Sequence, residues 1–267
     1  MRAKELFPGV FSRHAAAYAR RHAAIRAAGG EAARNRMLEL IAVRRGERVL
    51  DIACGPGNLA AVLVAGGADL VGIDLAEGML ELARRDVAGA RFLLMDGEHL
   101  EFPDASFDAA VCGHGYQFMS DLDRAFAEAR RVLKAGGRLG ATLPQLAPRS
   151  DDIADVAERW LAPRPAISGH ERARALVVDP AGLREALLEA GFERVEVERA
   201  SEPIVWRDAD HAVELAASFW DLASRIELTE PARVEAFQRE ARKALRRRYG
   251  GGPIEREAVG LVIYAVA

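Results

Sequence analysis

Apolar residues along this chain come in short runs separated by stretches with helical spacing. RVLDIA (48–53), DLVGID (69–74), RFLLM (91–95), DAAVCGH (108–114) and GRLGATL (137–143) are the runs of the first half. Short continuous apolar runs read as buried strands, and their alternation with helices predicts a parallel sheet joined by right-handed crossovers. The helix over 121–134 places Leu122, Ala125, Ala129 and Leu133 on one face, with Gly136 and Gly137 to stop it. A second helix over 181–190 is capped by Asp179, carries Pro180 in its first turn and ends at Gly191.

Upstream lies a leader to residue 44, rich in alanine and arginine. Its segment GEAARNRMLELIAVRRGE spaces Ala33, Met37, Leu40 and Ile41 as a helix that should pack on the sheet, with Gly46 ending it. Downstream, FERVEVERA (192–200) and EREAVGLVIYAVA (255–267) read as the last two strands. Two insertions interrupt the alternation. Residues 144–178 are rich in proline and charge, and 208–250 reads as two helices, the second opened by Thr229, Glu230 and Pro231 and closed by Gly250 to Gly252. The insertions leave the carboxyl side or the edge of the sheet, where open α/β folds bind ligands, so both are candidate lids over a substrate.

The chemistry concentrates at the first strand. VLDIACGPGNLA (49–60) is a buried strand bearing Asp51 that runs into a glycine turn and opens a helix. Gly55 and Gly57 lack a Cβ, so the chain can bend sharply and let a ligand approach the backbone. The next strand stops at Asp74, where a carboxylate can accept hydrogen bonds from a ribose. A G-x-G-x-x-A pattern from Gly55 to Ala60 also satisfies the loose dinucleotide fingerprint, which leaves an NAD-dependent oxidoreductase open. Three features argue against it. Asp51 would meet an ammonium group but repel a pyrophosphate. A third acidic turn, MDGEHLEFPDASFD (95–108), follows the third strand, and the unit begins near residue 48 behind a helical leader.

VLDIACGPGN, GIDLAEGMLELAR, DGEHLEFPDASFD and ARRVLKAGGRLGATL, in that order over roughly residues 45–145, resemble the class I S-adenosylmethionine-dependent methyltransferases, in the branch similar to the ubiquinone and menaquinone enzymes. The resemblance implies a Rossmann-like α/β fold: a seven-stranded, mostly parallel sheet with helices on both faces, the last strand antiparallel, plus helical lid insertions. It reads 1–267 as one domain, with the leader at 1–44, a cofactor-binding core at 45–143 and the insertions as lids. It implies S-adenosyl-L-methionine as cofactor, S-adenosyl-L-homocysteine as product, and a small organic acceptor, either quinone-like or a specialised metabolite.

Carried over by position, the methionine part of the cofactor lies over Ala53, Gly55 and Gly57, with Asp51 near its amino group. Ala53 stands where many relatives have glycine. Asp74 takes the ribose hydroxyls, Leu75 and Met79 lie against the adenine, Asp96 accepts from the adenine amino group, and Gly97 and Glu98 line that edge. CGHGYQF (112–118) ends the fourth strand where cofactor and acceptor meet. There His114 or Tyr116 could take a proton, since imidazole titrates near neutrality, or His114 could support the cofactor through its backbone. In the leader, His14 and Tyr18 are four residues apart, and the resemblance gives Tyr18 the part of a cap over the cofactor. Trp160, Trp206 and Trp220 fall in or beside the insertions and could form an aromatic wall for a planar or isoprenoid acceptor, or serve as ordinary core.

Composition adds boundaries. With 50% hydrophobic residues and a formal net charge of −3, nothing marks a nucleic-acid or membrane-surface protein. The basic run Lys243, Arg246, Arg247, Arg248 reads as a solvated helix face. Cys54 and Cys112 are too few for a disulfide framework, no apolar run approaches about 18 residues, and the N-terminus lacks a signal-peptide pattern, so the cytoplasm is expected. The alanine- and arginine-heavy composition hints at a GC-rich bacterial genome. No acid or histidine cluster has ligand spacing, so no metal is expected. A homodimer stays open, as does the acceptor atom. So does a non-catalytic member of the fold that keeps the pocket for sensing.

Overall fold

The computed structural model describes residues 2–145 and 152–267. The leader forms three helices, α1 (Ala3–Arg13), α2 (Ala15–Ala27) and α3 (Ala32–Ile41). Alternation follows: β1 (Arg48–Ile52), α4 (Asn58–Ala65), β2 (Asp69–Asp74), α5 (Glu77–Asp86), β3 (Ala90–Leu94), β4 (Phe107–Gly113), α6 (Leu122–Val132) and β5 (Leu133–Gln145). Then come α7 (Asp152–Trp160), α8 (Glu171–Leu176), α9 (Pro180–Glu189), β6 (Arg194–Trp206), α10 (Ala209–Ala217), α11 (Trp220–Glu227), α12 (Pro231–Tyr249) and β7 (Ile254–Val266).

All seven strands join one sheet in the order β3-β2-β1-β4-β5-β7-β6. β1 to β5 pair in parallel, and β7 runs antiparallel between β5 and β6. This is the expected Rossmann-like sheet with its last strand reversed. Alternate residues of each central strand serve opposite faces. Leu50, Ile52, Ala110 and Cys112 pack with α6 and α9, whereas Val49, Ala109 and Val111 pack with α3, α4 and α5. Strand order reverses between β1 and β4, which leaves a crevice above their carboxyl ends.

Three local expectations are corrected. The leader helix does not run to Gly46: α3 stops at Ile41 with Ala42 left-handed at φ 43°, and Gly46 instead turns toward β1, its N–H donating to the Gly67 carbonyl at 2.8 Å. The helix after β4 stops at Val132 because Leu133 is already extended and begins β5. The second insertion holds three helices where two were expected, since the chain breaks at Ser218 and Phe219. Asp179 does cap α9, accepting from the Gly182 N–H.

The insertions bury apolar surface of their own. Ile153 and Ala157 of α7, Ala212 and Val213 of α10, and Phe237 and Ala241 of α12 form a core separate from the sheet. Residues 146–151 of the first expected insertion lie outside the described residues. A further cluster joins Leu6, Phe7 and Val10 of α1 to Ala223 of α11, with Trp220 packed against it. Leader and second insertion therefore close toward each other over the carboxyl edge.

Candidate cofactor and acceptor site

The glycine bend after β1 is built from left-handed backbone. Ala53, Gly55 and Gly57 have φ of 54°, 55° and 84°. For Ala53 this conformation is costly, which explains why glycine suits that position. A Cβ on Gly55 would meet nothing within 4 Å, so the bend opens upward there. A Cβ on Gly57 would lie 2.9 Å from Val87 Cγ2, so this glycine fits the bend against α5 and does not line the cavity.

Above the bend lies a cavity lined by Ala53, Gly55, Asp74, Leu75, Met79, Asp96, Gly97, Glu98 and His114, together with Tyr18 from the leader. Ten of the residues singled out from sequence thus meet around one space. Asp51 lies outside the lining. It is fully buried, and neither carboxylate oxygen has a hydrogen-bond partner among the described residues. Burial, with the nearby Asp74 charge, pushes its pKa up to about 8. A buried carboxylate left this way lacks a cation, and an ammonium group would satisfy it.

Asp74 turns at the tip of β2. Its Oδ2 accepts from the Gly55 N–H at 2.9 Å and its Oδ1 from the Ala76 N–H at 2.8 Å, which ties the two crossovers together. Burial raises its pKa. At the far edge Asp96 Oδ1 accepts from the Glu98 N–H at 2.9 Å. Lys4 of α1 stands 2.6 Å from both Asp96 Oδ2 and Glu98 Oε2, so the carboxylate expected to meet adenine already has a cationic partner. Glu98 is nearly buried and its Oε1 also accepts from the Ser120 N–H at 2.6 Å.

His114 leaves β4 at φ 57°, a left-handed conformation for a non-glycine residue. Its Nδ1 is 3.2 Å from the buried Thr142 hydroxyl of β5. Burial, then the Arg34 and Arg21 charges, push its pKa down to about 4, so the imidazole is neutral at pH 7. Tyr116, the other expected proton acceptor, is corrected. After His114 the chain turns inward through a single 3-10 turn (Tyr116–Phe118), and Tyr116 is fully buried with its ring 4.9 Å from Phe126, away from the cavity.

The leader pair also separates. Tyr18 lines the cavity, whereas His14 Nε2 lies 2.8 Å from Glu227 at the end of α11. None of the three tryptophans lines the cavity: Trp160 and Trp206 pack in the insertion core, and Trp220 stands edge-on to Phe7 at 5.1 Å. The aromatic lining comes instead from Phe7, Phe11 and Phe118, with Met95 and Met119. Sequence reasoning missed these residues and Lys4. The aromatic spacing in LFPGVFSR was the available signal.

The geometry fits S-adenosylmethionine on observations independent of any ligand: an unpaired buried acid under an open bend, an uncapped helix start at α4, and a carboxylate at the tip of β2. Comparison with known proteins agrees. A family model described as a methyltransferase domain matches residues 50–141. Nocamycin O-methyltransferase of Saccharothrix syringae is 32% identical over 240 residues, covering 82% of this chain and 85% of that one. The ubiquinone/menaquinone biosynthesis C-methyltransferase UbiE of Pseudomonas putida (strain GB-1) is 35% identical over 188 residues, covering 63% and 73%. In fold, the chain is similar to the YcgJ protein of Bacillus subtilis, with a TM-score of 0.56 at 21% identity, covering 88% and 97%.

The chain belongs to the class I S-adenosylmethionine-dependent methyltransferases, in the branch related to UbiE and the demethylmenaquinone enzymes. It is therefore a one-carbon transferase that uses S-adenosylmethionine and yields S-adenosylhomocysteine, and the oxidoreductase alternative falls. Its acceptor is a small molecule.

Proposed function

We propose that the protein methylates a small quinone-like or specialised-metabolite acceptor, with His114 taking the acceptor proton. The observation that carries this reading is that His114 lines the same cavity as Gly55 and Asp74, with its Nδ1 3.2 Å from the Thr142 hydroxyl. When bound, S-adenosylmethionine supplies an electrophilic methyl carbon on a sulfonium. Asp51 would hold the ligand's ammonium group, and the amides opening α4 its carboxylate. Asp74 would hold the ribose hydroxyls, and Leu75 and Met79 would flank the adenine. Asp96, Gly97 and Glu98 would line the adenine edge, which requires Lys4 to share or yield the Asp96 oxygen. Tyr18, Phe7 and Phe11 would exclude water above the cavity, and exclusion of water with correct placement supplies much of the rate in such displacements.

Residues 45–143 act in this reading as the cofactor-binding core of a single domain, with the leader and both insertions as its cover. The names of the relatives support either acceptor class. No nucleic acid takes part, as the net charge of −3 suggests. Among the described residues no helix is long and apolar enough to cross a membrane; a cytoplasmic site of action is part of this proposal. Incubation with methyl-labelled S-adenosylmethionine and a set of quinols, phenols and enolic acids tests the reading. Label transferred to one acceptor class supports it, and tight cofactor binding with no transfer to any acceptor refutes it.

A further inference from the structure

Two buried polar side chains converge on His114. Thr142 of β5 is fully buried, and its cross-strand partner Val262 belongs to the apolar layer under α3. Its chain neighbours Ala141 and Leu143 serve the other apolar face of the sheet. Valine would fill this position as well as threonine does, and a buried hydroxyl costs free energy unless it finds a hydrogen bond. The Thr142 hydroxyl lies 3.2 Å from His114 Nδ1. From the turn beyond, Gln117 donates from Nε2 to the His114 carbonyl at 2.7 Å, while its buried Oε1 has no partner among the described residues. Both side chains therefore bear a burial cost at the place where they reach His114.

Main-chain contacts complete the hold. The His114 N–H donates to the Thr142 carbonyl at 3.0 Å, so one residue of β5 grips both the backbone and the ring. These bonds keep His114 at its left-handed φ of 57°. Beside it, a Cβ on Gly115 would lie 2.6 Å from Ala53 Cβ, so the turn is pressed against the glycine bend. The ring is thus fixed relative to the bend, with Nδ1 turned to Thr142. Nε2 is the nitrogen left for a ligand in the cavity that His114 lines. In a neutral imidazole, the hydrogen bond made by one nitrogen decides which of the two bears the proton.

We propose that Thr142 is a positioning residue: its Oγ1 accepts from His114 Nδ1–H and so leaves the Nε2 lone pair bare toward the cavity. This rests on the reading of His114 as the proton acceptor. Threonine Oγ1 has two lone pairs and a rotating O–H, so it can take this bond without a carboxylate behind the ring. When an O–H or C–H bond of the acceptor breaks, its proton forms the Nε2–H bond, and the electron pair stays on the acceptor to attack the methyl carbon. The ring becomes an imidazolium whose Nδ1–H bond is already made. No ring rotation or proton shift has to accompany transfer, which is the advantage of a group held in place. Thr142 itself does not line the cavity and acts only through His114.

Long-range proton–nitrogen NMR of protein carrying isotope-labelled histidine, with S-adenosylhomocysteine bound at pH 7, reads the tautomer without turnover. The chain has six histidines, and the signals lost in His114→Gln assign this ring. Wild-type protein is expected to carry the His114 proton on Nδ1 alone. Thr142→Val keeps the side-chain shape without the hydroxyl and should shift the proton to Nε2, whereas Thr142→Ser should hold it on Nδ1. Both variants should retain binding of S-adenosylhomocysteine, which reports a folded site. A proton on Nε2 in the wild type, alone or together with one on Nδ1, overturns the inference, as does the same tautomer in wild type and Thr142→Val. The proton-acceptor reading fails on a separate result: His114→Gln turning over at the wild-type rate while the tautomers are as expected.

Discussion

Lys4 Nζ lies 2.6 Å from Asp96 Oδ2, which fastens the first helix of the leader to the acidic turn after β3. The same ammonium group reaches Glu98 at 2.6 Å, so one side chain bridges both acids at the edge of the cavity. Phe7 and Phe11, one and two turns further along α1, lie against the same space. Closure of the site is thus written into a contact between residues 92 positions apart.

Lys4→Met should loosen that closure. The Lys4–Asp96 pair is partly exposed, and pairs of that kind contribute about 0.2–1 kcal/mol, while the buried Glu98 carboxylate keeps its bond from the Ser120 N–H, so the fold should survive. Dissociation of S-adenosylhomocysteine, followed by stopped-flow fluorescence, is expected to speed up several-fold. An unchanged rate would mean that α1 does not gate the ligand.

His114→Gln should lower kcat by about 100-fold or more and leave cofactor affinity nearly unchanged, the scale expected for loss of a positioned base. The pH profile carries the sign. The neutral ring is the active form and its pKa lies at about 4, so kcat stays level from pH 6 to 8 and falls only as pH drops toward 4. A kcat that halves near pH 6.5 would show an ordinary exposed histidine or another base.

Asp74→Ala removes the acceptor for the Gly55 and Ala76 amides and, in the proposed reading, the ribose contact. Calorimetry should find S-adenosylhomocysteine binding weaker by about 1–3 kcal/mol, the cost of losing hydrogen bonds to a charged group. Equal affinity would remove Asp74 from the cofactor site.

Gly57→Ala tests the bend itself. A left-handed φ of 84° and a 2.9 Å approach to Val87 both oppose a Cβ. Thermal unfolding should show a loss of about 1–3 kcal/mol. A wild-type melting temperature would mean that the bend can shift without cost.

Much of the sheet was legible because its strands are continuous apolar runs bounded by acids and glycines, and such signals are local. Asp51, Gly55 and Asp74 were legible for the same reason, since strand, bend and helix follow within a few residues of each other. What closes the site was not. α2 reads AAAYARRHAAIRA, alanine and arginine on every side, so no stripe tells which face meets the cavity. Tertiary contacts decide that Tyr18 faces the cavity and Arg21 faces Phe219. Tyr116 misled because strand-end position implies exposure, whereas the left-handed turn at His114 sends the next residues into the core. The tryptophans misled because the insertions needed a core of their own.

Asp51 offers the most direct measurement of whether this crevice holds the amino acid end of S-adenosylmethionine. Its pKa of about 8 makes it mostly protonated at pH 7 in the free protein, and an ammonium group arriving beside it would drive the proton off. The sign is checked by folding alone: the unfolded carboxyl ionises near 3.8, so stability falls by up to ~1.4 kcal/mol per pH unit as pH rises from about 4 to 8, and Asp51→Asn should flatten that slope. Titration of S-adenosylhomocysteine at pH 7 in two buffers of different ionisation enthalpy should show close to one proton released per molecule bound, with none released in Asp51→Asn. Binding with no proton release in the wild type, or binding of NADH in place of S-adenosylhomocysteine, would contradict the account.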